Sequence, residues 1–92
     1  MADHKLTSEL LIQNRKGLHA RAAAAFVKSI ENFDAEVSVE RIGQVVDGCS
    51  IMGLMMLAAA QGTTIKVTCS GHQAKEAMDA ITTLINNKFG ED

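Results

Sequence analysis

The spacing of apolar residues switches repeatedly between a period of two and a helical period along this chain, and that succession restricts the fold more than any single motif. From Leu6 to Ile12, alternation sets Leu6, Ser8, Leu10 and Ile12 on one face and Thr7, Glu9 and Leu11 on the other, as in a half-buried strand. From Ala20 to Asn32, residues Ala23, Phe26, Val27 and Ile30 recur at helical spacing while Lys28, Ser29 and Glu31 turn to water. Alternation returns at Ala35, Val37 and Val39, and Gly43 permits a tight turn into Gln44 to Asp47, which predicts a hairpin. Ser50 is a good N-cap for a short apolar helix over Ile51 to Leu57, stopped by Gln61 and Gly62. Thr64, Lys66 and Thr68 then alternate with Ile65, Val67 and Cys69. After them Ser70 and Gln73 read as a capping box, followed by a stripe of Ala74, Ala77, Met78, Ile81, Leu84 and Ile85.

The order is therefore βαββαβα. Four strands with one apolar face and three striped helices are best satisfied by an α+β open-faced β-sandwich, a mainly antiparallel four-stranded sheet with all helices on one face. Three Phe without Trp or Tyr leave the core to Ala, Val, Ile, Leu and Met, which favours thin, closely packed layers over a deep aromatic pocket. Ninety-two residues close one core and not two, so residues 1–92 are expected to form a single domain. No Pro or low-complexity stretch marks a linker, and only Met1 to His4 and Gly90 to Asp92 read as loose ends.

A formal charge of −2 with scattered Lys and Arg supplies no field for tracking nucleic acid. The apolar run Ile51 to Ala60 is too short to cross a bilayer, and the N-terminal segment lacks the apolar stretch of a signal peptide. A cytoplasmic protein without membrane or nucleic-acid partners is expected. Cys49 and Cys69 lack the spacing of a metal clip and read as reduced thiols, and the sequence calls for no metal or organic cofactor.

The segment that points to chemistry is Gly17-Leu18-His19-Ala20-Arg21, which puts an imidazole where a helix opens. The first N–H groups of a helix have no intrahelical partner and attract anions, while the positive end of the dipole favours the neutral, nucleophilic imidazole. A phosphoryl group on His19 would bring a charge of about −1.5 to −2 to those donors, with the Arg21 guanidinium beside it. A surface histidine that merely follows a turn fits the pentapeptide equally well.

GLHAR with its Ala-rich helix, the hairpin, Ser50-Ile51-Met52-Gly53-Leu54-Met55 and the later QGT together resemble the HPr family, from about Leu6 to Phe89. The resemblance implies a phosphocarrier, not an enzyme: His19 as phospho-acceptor through Nδ1, Arg21 stabilising the phosphate, and no cofactor. It implies enzyme I of the phosphoenolpyruvate-dependent phosphotransferase system as donor, and acceptor proteins serving sugar uptake or the related nitrogen-regulatory branch. The family usually has Pro directly after the arginine, where this chain has Ala22. Beside its capping role, Ser50 resembles the regulatory serine modified by an HPr kinase/phosphorylase, although Cys49 stands where Lys often precedes it.

Ile51, Met52, Leu54, Met55, Met56 and Leu57 cannot all turn inward from so short a helix, so Leu54 and Leu57 are expected in the core. Ile51, Met52 and Met55 are then partner contacts whose pliable side chains suit several docking surfaces. His4, in a frayed terminus, and His72, in the first turn of the last helix, read as surface residues, and a monomer is the natural oligomeric state. The rival reading is a small α+β ligand-binding or adaptor module docking through the Met-rich helix 50–58, which leaves His19 without a task.

Overall fold

Lys5 to Glu91 are described by the computed structural model, in which alternation has produced strands β1 (Lys5–Leu11), β2 (Glu36–Arg41), β3 (Gln44–Asp47) and β4 (Thr64–Ser70). Helical periodicity has produced α1 (Ala20–Ile30), α2 (Ile51–Met56) and α3 (Ala74–Asn86), followed by a single tight turn at Lys88–Gly90. The sheet order is β1-β4-β2-β3 and every pairing is antiparallel. Along the central strand β4, Ile65, Val67 and Cys69 are buried while Thr64 and Lys66 face water. Register carries that inner face across the sheet, with Leu10 opposite Ile65, Val39 opposite Val67 and Val37 opposite Cys69.

The helices cover this one face. Helix α1 buries Ala22, Ala23, Phe26 and Ile30, and α3 buries Ala74, Ala77, Met78, Ile81 and Ile85, with Leu84 packed partly against the core. The alanines let these helices approach closely, so a core with little aromatic volume is filled. Leu54 of α2 and Leu57 just after it reach the core, whereas Ile51, Met52, Met55 and Met56 stay exposed. Burial pushes the Cys69 thiol up to about 11, an inert side chain packed as a hydrophobe.

The structure differs from the sequence reading at several boundaries. Helix α1 stops at Ile30 and not Asn32, and α2 ends at Met56 because Ala58 adopts a left-handed φ of 51°, ahead of Gln61 and Gly62. Ser70 is the last residue of β4, so the Ser70/Gln73 capping box does not form. Gln73 is drawn into long-range bonds: its Oε1 accepts the Asp34 N–H at 2.7 Å and its own N–H donates to the Asp34 carbonyl at 2.8 Å. His72 accordingly precedes α3 in an exposed turn. His4 lies outside the described residues, as does Asp92.

The segment after α3 is not loose as far as Glu91. Lys88, Phe89 and Gly90 all have positive φ, near 56°, 56° and 75°, which reverses the chain and buries Phe89. Left-handed backbone costs a residue with a Cβ about 1–2 kcal/mol, and burial of the Phe89 ring offsets a cost of that order.

Candidate functional site

The loop from Ile12 to His19 is held by the irregular segment that follows α2. Ile12 N–H donates to Thr63 O at 2.9 Å, Gly62 N–H to Ile12 O at 2.8 Å, and Leu18 N–H to Ala59 O at 2.9 Å. Gly17 lies against this segment with φ +66°, and a Cβ there would collide with the Ala59 carbonyl. Only glycine serves at that position. With Leu18 buried, the chain enters α1 at a fixed angle and His19 occupies the N-cap position.

His19 has extended backbone, its carbonyl accepts the first intrahelical bond from Ala23 at 2.8 Å, and its side chain makes no cap. The ring is therefore not committed to the helix backbone, and a quarter of the side chain is exposed (25%). Its partner Glu91 lines a cavity of about 320 Å³ with the cationic side chains of Arg15, Lys16 and Arg21 and with Gly90. A second groove runs from Lys16, Leu18 and His19 to Met55 and Ala58–Ala60. One docking candidate, Met55, thus shares a surface with His19, while Ser50 lies at the opposite end of α2. Ser50 is its N-cap, with Oγ accepting the Gly53 N–H at 2.9 Å.

Two participants were not singled out in the sequence. Glu91 Oε2 stands 2.6 Å from His19 Nε2, and Glu91 Oε1 accepts from Asn14 Nδ2 at 3.0 Å. Asn14 is fully buried and donates from the same nitrogen to Gly17 O at 2.7 Å, a carbonyl that can only accept, so its amide orientation is fixed. The Glu91 carboxyl is held below the ordinary carboxylate range, first by the Asn14 hydrogen bond and then, against some desolvation, by the His19 contact and the Arg21 charge. It is ionised at neutral pH. An ionised carboxylate is only an acceptor, so Nε2 carries the proton in this contact. Contacts spanning more than seventy residues leave no local signal in a sequence.

Arg21 is exposed and acts on the site through its charge and its place on the cavity wall. Among the described residues no group of His, Cys, Asp and Glu could hold a metal ion, and no helix is long and apolar enough to cross a membrane.

Residues 6–87 match the family profile described as "PTS HPr component phosphorylation site". The phosphocarrier protein HPr of Cupriavidus necator is 46% identical, covering 94% of this chain and 97% of its own length. The phosphocarrier protein NPr of Shewanella violacea is 38% identical over 95% and 96% of the two chains. A crystal structure of HPr from Thermoanaerobacter tengcongensis superposes with a TM-score of 0.86 at 40% identity, covering 97% of this chain and 98% of that one.

Proposed function

The chain belongs to the HPr family, phosphocarriers of the phosphotransferase system rather than enzymes, and from that premise we propose that His19 is the residue that carries the phosphoryl group, on Nδ1, with Arg21 as its counter-charge. The observation that supports this most is the placing of His19: a partly exposed imidazole at the opening of α1, in a groove with Lys16 and bonded to Glu91, whose cavity Arg15 and Arg21 also line. The unpaired N–H groups of the first helical turn and the nearby guanidinium suit a group that arrives with negative charge. Ala22 keeps an N–H that the proline usual in the family lacks, so the turn has an additional donor.

In this reading the phosphate comes from enzyme I and goes to acceptor proteins of the sugar or nitrogen branch, in the cytoplasm, with residues 1–92 acting as one monomeric domain. Transition states of phosphoryl transfer are loose, so a carrier need only position the group for in-line displacement. Ile51, Met52 and Met55 provide the docking surface, and their exposure of 41%, 72% and 40% is what such a role needs. Ser50 is the regulatory position, open to an HPr kinase/phosphorylase at the cap of α2. The adaptor reading is not favoured, because the family is one of phosphocarriers and docking alone gives His19 nothing to do.

Incubation with enzyme I and phosphoenolpyruvate should place an acid-labile, base-stable phosphate on the protein. His19→Ala should abolish it while the fold persists, since the side chain lies on the surface. Phosphate acceptance by the His19→Ala protein at a comparable rate would make another residue the carrier.

A further inference from the structure

Glu91 binds both sides of the acceptor loop with one carboxylate: Oε2 on His19 Nε2 and Oε1 on the amide of buried Asn14. Its placement is not incidental to chain direction. Three successive residues of positive φ return the chain from α3, Phe89 anchors the return in the core, and Asn14 holds the carboxylate from below. Backbone held in a sparsely populated conformation beside a reactive group is the usual companion of a functional constraint. Because both Glu91 oxygens accept, the neutral imidazole carries its proton on Nε2 and its lone pair on Nδ1.

We propose that Glu91 is a positioning residue for phosphoryl transfer, fixing the His19 ring and its Nε2–H tautomer and then facing the charge that the ring acquires. The proposal rests on His19 being the acceptor. In the forward step the Nδ1 lone pair forms the N–P bond while the donor's bond to phosphorus breaks and its electron pair leaves with the donor. The ring becomes a cation that keeps its Nε2 proton, and the Glu91 carboxylate lies against it. On delivery the N–P bond breaks, its pair returns to Nδ1, and the proton has not moved in either step. Glu91 thus spares the relay any proton transfer, and holds one ring face toward the partner.

Ring NMR on the full chain labelled with ¹⁵N-histidine, read together with single-turnover transfer from enzyme I, tests this. Unphosphorylated wild type should show a solvent-protected Nε2–H proton assigned to His19 by its loss in His19→Ala. Glu91→Ala should lose that protected proton and transfer roughly tenfold more slowly, the size expected for one charge-assisted hydrogen bond, with donor binding unchanged. Glu91→Gln, which keeps an acceptor and drops the charge, should keep the proton signal and fall between the two in rate. A wild type without a protected Nε2–H, or Glu91→Ala transferring at the wild-type rate, overturns the proposal. Failure of the acceptor assignment would be distinct, since it would appear as phosphate on His19→Ala whatever the ring proton does.

Discussion

His19 and Arg21 sit two positions apart and meet the site differently, the first through a short hydrogen bond and the second through charge on a cavity wall. Arg21→Lys keeps the charge and loses the planar fork, so single-turnover transfer to His19 should slow several-fold while donor affinity changes little; equal rates would make Arg21 an ordinary surface cation. The Glu91 contact has a pH signature. Its carboxyl is depressed in the folded protein, so the stability it adds is fully present above the unfolded value of about 4.3 and is lost as pH falls through the lower folded value. Melting temperatures of wild type and Glu91→Gln should therefore converge as the pH is taken down through that lower folded value, and a gap that persists unchanged would show that the carboxylate charge is not what holds the segment. At this scale the sequence singled out His19 and Arg21 as candidates through the helix opening and the family resemblance together, since the opening alone fits a plain surface histidine equally well. It concealed Glu91 and Asn14, whose roles exist only after the chain has returned on itself.

Among the elements, periodicity was a sound guide to which strands and helices exist and which face each buries: Phe26, Val67 and Ile81 lie where alternation or helical spacing put them. Boundaries were less legible, because they depend on partners outside the element. Gln73 illustrates this, a residue suited to a local cap that instead binds Asp34 across the fold. In the proposed reading, helix α2 is the element on which regulation and docking converge. Ser50→Asp retains a side-chain acceptor for the Gly53 N–H, so the melting temperature should hold or rise slightly. The same substitution places a charge beside Ile51, Met52 and Met55 and near Asp47, where a partner must desolvate it, so enzyme I binding and the rate of His19 phosphorylation should both fall. Calorimetry with a transfer assay checks both halves: normal docking would remove the regulatory account, and early melting would make Ser50 mainly a structural cap.

For the molecule as a whole, the wholly antiparallel sheet brings the loop before α1, the segment after α2 and the turn after α3 to one edge, and the site is what those three pieces enclose. The layer architecture was legible from the order of periods, but this meeting of distant loops was not, since it depends on a glycine at Gly17 that admits Ala59 and on a left-handed turn at Phe89. Phe89→Ala should cost about 3 kcal/mol in denaturant unfolding and also release Glu91 from His19, coupling a core defect to a slower transfer. Loss of stability with an unaltered transfer rate would separate the turn from the site. Whether this chain carries phosphate on one nitrogen of one histidine can be read from ³¹P–¹⁵N NMR of ¹⁵N-histidine-labelled protein phosphorylated by enzyme I and phosphoenolpyruvate. A single phosphoramidate whose phosphorus couples to Nδ1 of His19 is expected; coupling to Nε2 of His19, or to a ring nitrogen of His4 or His72, would refute the assignment.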